Sequence, residues 1–162
     1  MKISKGIKKI ATLCVLKNKN KFLLLKRFNQ PNKGKYVPVG GRIQAFESPN
    51  DCIIRETFEE TGIKINNPKF YGLITETSPT HYNWISYVYS KEIDLINEPK
   101  SDEGELKWID YKKISKLPTP KTDDIIYKYI LQKKKFIISV EYNDKIEIIS
   151  MKEEIENRNL FH

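Results

Sequence analysis

Apolar residues occur along this chain in short runs separated by polar breaks. "KKIATLCVL" (8–16) and "KFLLLKR" (21–27) are two such runs, split by the polar "KNKN" (17–20). Runs of this length predict two strands joined by a turn. "FNQPNKGK" (28–35) carries Pro, Gly and Asn and predicts a loop. "YVPVGG" (36–41) predicts a short extended piece, because Pro38 steers Val37 away from helix. Next comes a helix with a signal at each end. Ser48 can cap it, Pro49 suits its first turn, Asp51 completes a Ser-x-x-acid capping box, and Gly62 supplies the stop. The predicted helix is 49–61.

Beyond it, "KFYGLITETS" (69–78) and "HYNWISYVYSKEI" (81–93) are rich in β-branched and aromatic residues and predict strands. "INEPKSDEGE" (96–105) is a polar loop, and "LKWIDYKKISKLPTP" (106–120) begins as strand and turns into a short helix or turn. In "TDDIIYKYILQKK" (122–134), Ile126, Tyr129 and Ile130 recur at helical spacing. "KFIISVEYNDKIEIISM" (135–151) predicts a hairpin turning at Asn143-Asp144, and the polar tail from 152 to 162 is expected to fray. Strands interleaved with two or three helices define an α/β (α+β) class, here as one domain over 1–162.

Composition narrows the function. The chain has 162 residues, 39% of them hydrophobic and 11% aromatic, which suits one folded domain with a sizeable core. No apolar run is long enough to cross a bilayer, and the lysine-flanked N-terminal run reads as a strand rather than a signal peptide. The expectation is a cytoplasmic protein without a membrane partner. Cys14 and Cys52 each lie within an apolar run and are expected to be buried, reduced thiols. His81 and His162 stand far apart, leaving little material for a zinc site or a Ser-His-Asp triad. The net charge of +8 attracts polyanions, yet no Arg-rich arm or recognition helix accompanies it. Nucleotide phosphates, a membrane surface and nucleic acid all answer to such a charge, nucleic acid the less expected for that absence; oligomeric state is left open.

Against that positive balance, Glu56, Glu59 and Glu60 crowd one segment of the predicted helix. At helical spacing they share a face opposite Ile53, Ile54, Thr57 and Phe58. Like charges at these spacings repel by about 0.2–0.5 kcal/mol per pair in water. In isolation they are an ordinary solvated stripe. Carboxylate oxygens are also hard ligands suited to a divalent cation such as Mg²⁺. Gly40-Gly41, just upstream, permits either a tight turn or close approach of the backbone.

Taken together, these residues resemble the Nudix box, G-x5-E-x7-R-E-U-x-E-E-x-G-U, where U is a bulky apolar residue. Gly41, Glu47, Arg55, Glu56, Glu59, Glu60, Gly62 and Ile63 fall at its fixed positions; Thr57 stands where an aliphatic residue is usual. The resemblance implies a mixed sheet sandwiched between helices, with the box as loop–helix–loop. It also implies hydrolysis of a nucleoside diphosphate linked to a further group X. On this pattern Glu56, Glu59, Glu60 and the Gly40 carbonyl would hold Mg²⁺ or Mn²⁺, braced by Glu47 and Arg55. MutT-like members carry a further functional Glu in a later loop. "SDEGELKW", before a strand resuming at Trp108, offers Glu103 first and Glu105 second.

The C-terminal half resembles oxidised-purine nucleoside triphosphatases, which implies a substrate of the 8-oxo-dGTP type. In that subgroup an acid pair before the C-terminal helix reads the base. Asp123 is the counterpart here, although it and Asp124 equally suit a helix N-terminus. The subgroup's purine-reading Asn falls at Val37. Tyr36 either stacks on a base or belongs to the core. Lys26 and Arg27 either meet phosphates or form a solvated pair.

Overall fold

Strand β1 (Lys9–Asn18) is shared by three neighbours. The computed structural model describes residues 5–162. One edge of β1 runs parallel to β6 (Trp84–Glu92). The other edge is divided: residues 11–14 pair with β4 (Val39–Arg42) and residues 16–18 with β2 (Lys21–Arg27), both antiparallel. β2 in turn pairs with β3 (Tyr36–Val37) and β7 (Gly104–Asp110). On the far side, β5 (Lys69–Thr77) is antiparallel to β6 and parallel to β8 (Phe136–Tyr142). β9 (Ile148–Glu153) and β10 (Arg158–Asn159) complete that side.

Alternation along the central strands fills two cores. Cys14, Leu16, Leu23 and Leu25 pack with Ile53 of helix α1 (Pro49–Thr61). Val15, Phe22 and Leu24 turn to the opposite side, toward Ile126, Tyr127 and Ile130 of α3 (Lys121–Leu131). The short α2 (Tyr111–Ile114) adds Ile114 to this second core. Because both faces of β2 are covered, its run "FLLL" is continuous rather than alternating. Each buried Leu or Phe contributes about 1.5–3 kcal/mol. This is the mixed sheet between helices that the sequence implies.

α1 matches its predicted bounds because its caps form. Ser48 Oγ accepts the Asp51 N–H at 3.1 Å and donates to Asp51 Oδ2 at 2.7 Å. Gly62 takes a left-handed φ of 72° and donates its N–H to Phe58 O at 2.7 Å. Four expectations change. Phe58, placed on the buried face, is exposed. The strand expected to resume at Trp108 starts earlier, at Gly104. α3 ends at Leu131 and gives way to a turn with Lys133 at φ 55°. The tail is not frayed: β10 pairs with β9, and Leu160 and Phe161 pack against the core. Both cysteines are buried and free, as expected. No helix among the described residues is long and apolar enough to cross a membrane.

Candidate active site

Where the edge of β1 divides, β4 brings Gly40 and Gly41 beside Leu13 and Thr12. Side chains would not fit at either glycine. A Cβ on Gly40 would collide with the Thr12 carbonyl, and one on Gly41 with the Glu56 carboxylate. The glycines thus let a carboxylate of α1 approach the strand backbone. Glu60 uses the same closeness: its Oε2 accepts the Gly40 N–H at 3.0 Å. These residues open onto a cavity of roughly 1210 Å³, also lined by Arg27, Glu103 and Asp123.

Arg55 gathers the remaining acids. Its Nε donates to Glu47 Oε1 at 2.7 Å and its Nη2 to Glu47 Oε2 at 2.9 Å. Nη1 is shared between Glu56 Oε1 at 2.7 Å and Glu59 Oε2 at 3.0 Å. The fork ties the loop to the helix and offsets repulsion along the acidic face. Hydrogen bonding to Arg55 holds the Glu47 carboxyl well below its usual range, down to about 2. Glu60 moves the other way. Burial pushes it up to about 8; the Gly40 N–H opposes this, while the charges of Glu56 and Glu103 add to it.

The donor set fits a divalent cation by its chemistry. Glu56, Glu60 and Glu103 are hard oxygen donors lining one cavity, and their mutual repulsion is what a cation relieves. The carboxylates stand apart, however: no group of three or more Asp, Glu, His or Cys among the described residues has metal-holding geometry.

Other predicted site residues divide. Arg27 lines the cavity, and its Nε donates to Pro31 O at 2.8 Å. Glu103 lines it as well, whereas Glu105 points outward to Lys107 at 3.2 Å. Asp123 is buried on the cavity wall and does not cap α3, whose N-cap position is held by Pro120. Asp124 pairs instead with Lys128 at 2.8 Å. For Tyr36 and Lys26 the structure favours the second of the two readings left open. Tyr36 belongs to the core and Lys26 stacks toward its ring at 5.8 Å; neither lines the cavity. Their β2–β3 pairing, Lys26 opposite Tyr36, turns both away from it. Glu59 is the most exposed of the three helix glutamates and also lies off the cavity wall. Thr57 is fully buried and packs as a small apolar residue would.

Sequence reasoning missed Glu76, Tyr82 and Tyr142, which also line the cavity. Alternation held one signal: Glu76 shares the inward face of β5 with Ile74, an unusual position for a carboxylate.

Sheet, box helix and glycine-lined cavity together define a Nudix domain. The chain belongs to the NUDIX domain family, whose model matches residues 7–132. It is 33% identical over 126 residues to the uncharacterized Nudix hydrolase YvcI of Bacillus subtilis, covering 75% of this chain and 78% of that protein. A MutT protein of Bacillus halodurans superimposes with a TM-score of 0.79 at 25% identity, covering 91% of this chain and 98% of that one. The NAD-capped RNA hydrolase NudC of Haemophilus influenzae is 29% identical over 53% of this chain, which spans 32% of NudC. The protein is accordingly a Nudix hydrolase, of the enzyme class that acts on nucleoside diphosphate-linked compounds.

Proposed function

We propose that this chain acts as a single domain hydrolysing a nucleoside triphosphate to the monophosphate and pyrophosphate, with Mg²⁺ or Mn²⁺ as cofactor. One observation carries the reading: Glu56, Glu60, Glu103 and Arg27 line one cavity beside the paired glycines. Glu56, Glu60 and Glu103, with Glu59 and the Gly40 carbonyl, would hold the metal. A bound divalent ion supplies Lewis-acid polarisation of phosphoryl oxygen and a more acidic water. The residues do the rest. Arg27 offers a fixed cation to phosphate oxygens. Arg55 and Glu47 keep the loop and helix in register, so that Glu56 stays beside Gly41. Asp123 faces the part of the substrate beyond the phosphates. Val37, also on the wall, gives a purine an apolar contact where the oxidised-purine enzymes have a hydrogen-bonding Asn. An unmodified base is therefore accepted as readily as an 8-oxo one.

The test is a panel of nucleoside triphosphates, 8-oxo-dGTP, ADP-ribose, a nucleotide sugar and a dinucleoside polyphosphate, assayed with Mg²⁺ and with EDTA. Metal-dependent release of pyrophosphate from a triphosphate is the expected result. Turnover confined to the diphosphate-linked compounds would overturn the substrate assignment.

A further inference from the structure

The half of the sheet beyond α1 carries an aromatic face rimmed by lysines. α1 packs on β1 and β4. Past that cover, register sets Leu73 of β5 beside Tyr87 of β6 on one side and Ile137 of β8 on the other. All three turn away from Ile74, Val88 and Ile138, which enter the core with α3. A bulge in β5 adds a ring to this face. In a regular strand Phe70 would share the inward side of Ile74. The register shifts between Phe70 and Gly72, so Tyr71 takes the place in the core and Phe70 turns out. Its ring lies 6.3 Å from that of Tyr87 and 5.5 Å from that of Tyr89. Phe70 remains 37% exposed and Ile137 40%.

Cations surround these rings. Lys135 Nζ lies 5.2 Å from the Phe70 ring centroid and donates to the Phe70 carbonyl. Lys91 follows Tyr89 on the same face of β6, and its Nζ donates to Asn66 Oδ1 at 3.1 Å. The loop from α1 into β5 adds Lys64, whose Nζ lies 5.7 Å from the exposed ring of Phe58. Among the described residues, none of these three lysines has an ion pair. Glu141, on the same face, stands at the other end of β8. The rings and lysines of this face do not line the cavity.

Charge selects what covers such a face. Unpaired lysines beside aromatic rings suit a polyanion that also presents flat apolar surfaces. A single strand of nucleic acid has both, whereas a duplex keeps its base faces stacked inside. The net charge of +8 favours the same ligand. A second copy of the chain would bring the same lysines to the contact, and like charges there oppose it.

We propose that this face binds single-stranded nucleic acid, with bases against Phe70 and Tyr87 and phosphates on Lys64, Lys91 and Lys135. The inference is independent of the proposed function, because it leaves the cavity to the small nucleotide.

Fluorescence anisotropy tests it. The probes are 5′-hydroxyl oligouridylate and oligothymidylate of about 12 nucleotides, with a duplex of the same length, all in EDTA. Wild type is compared with Phe70→Leu, Tyr87→Leu, the triple variant Lys64→Gln/Lys91→Gln/Lys135→Gln, and the cavity variant Arg27→Gln. Thermal melts check each fold, and the exposed lysine triple keeps the test decisive if an aromatic variant unfolds. The single strands should bind more tightly than the duplex, and each aromatic variant should weaken them about 5- to 10-fold. The lysine triple should flatten the slope of log affinity against log salt by about 2, while Arg27→Gln binds as wild type does. Absence of binding to wild type, equal affinities in all the folded proteins, or a loss confined to Arg27→Gln overturns the proposal. So does displacement of the single strand by polyglutamate as effective as by unlabelled oligonucleotide, which would make the face a site for acidic peptide. A dimer in sedimentation that Phe70→Leu dissolves would make it an interface between copies and overturn the proposal as well.

Discussion

Arg55 grips Glu47 through two parallel hydrogen bonds, Nε to Oε1 at 2.7 Å and Nη2 to Oε2 at 2.9 Å. The pair joins the loop to α1, with its Arg and Glu side chains 23% and 13% exposed. A charge-assisted, bidentate contact of this kind contributes about 1–3 kcal/mol. Glu47→Gln should therefore lower stability by that order. The pH dependence has a definite sign. Glu47 is held down at about 2, below its usual 4.5, so its contribution is complete above pH 4.5. It is lost as pH falls from 4.5 toward 2. Urea unfolding of both proteins across that range should show the gap closing on acidification. A gap constant down to pH 2 would contradict this assignment.

Glu60 is expected to behave in the opposite sense. Its folded value of about 8 lies above the usual 4.5, chiefly through burial. In the metal-free protein the contribution of Glu60 itself is thus complete below pH 4.5 and is lost as pH rises toward 8. Glu60→Gln removes that loss. In EDTA the variant should match wild type near pH 4 and be the more stable at pH 8. With Mg²⁺ the order reverses: wild type gains melting temperature, the variant does not, and kcat falls on the order of 10²–10³-fold. Equal unfolding midpoints at pH 8 in EDTA would refute the stability part; unchanged kcat would refute the metal part.

Register separates Glu103 from Glu105. β7 starts at Gly104, with Gly104 and Leu106 inward and Glu105 outward beside Lys107. Glu103 immediately precedes the strand, lines the cavity and acts on Glu60. Glu103→Gln should cut kcat by about 10²-fold, whereas Glu105→Gln should stay within about 2-fold of wild type. Steady-state kinetics on the two purified variants checks this, and a silent Glu103→Gln would remove that residue from the proposed metal set.

The paired glycines predict two different defects. A methyl at Gly40 meets the backbone carbonyl of Thr12, which cannot move without disturbing the β1–β4 pairing. Gly40→Ala should cost about 1–3 kcal/mol of stability. A methyl at Gly41 meets the Glu56 carboxylate, a mobile group. Gly41→Ala should keep most of its stability and lose activity, because Glu56 is displaced. Melting temperature and kcat measured on both variants decide the matter; the reverse pattern would show that the Glu56 position is not what activity needs.

The box was legible because its physics is local. Caps at Ser48 and Gly62 and the spacing from Gly41 to Ile63 all lie within one stretch, so helix bounds and acid positions could be read directly. Residues whose role depends on distant pairing could not. Whether Lys26 or Arg27 meets the cavity is decided by alternation on a strand covered on both faces, where hydrophobicity gives no phase. Tyr36 looks the same in sequence whether it stacks on a ligand or fills a core. Glu76 is brought to Tyr142 by the parallel β5–β8 pairing, across 66 residues of chain. The packed tail is hidden in the sequence for a related reason: its polar composition conceals two apolar residues, Leu160 and Phe161, that reach back to the core.

That tail yields the last prediction. β10 pairs with β9, the Leu160 N–H donates to Met151 O at 2.8 Å, and Arg158 Nη2 donates to the Tyr129 hydroxyl at 2.6 Å. Leu160 and Phe161 cover the core containing α3, and Phe161 also lines the cavity. Removing residues 155–162 should therefore do two things. Lost burial of two half-covered apolar side chains, with the strand pairing, should lower stability by about 2–4 kcal/mol. Loss of part of the wall far from the box should raise KM more than it lowers kcat. Thermal unfolding and steady-state kinetics of the truncated chain measure both. An unchanged melting temperature would mean that the packed tail contributes nothing to the fold, and an unchanged KM that the C-terminal wall does not touch substrate.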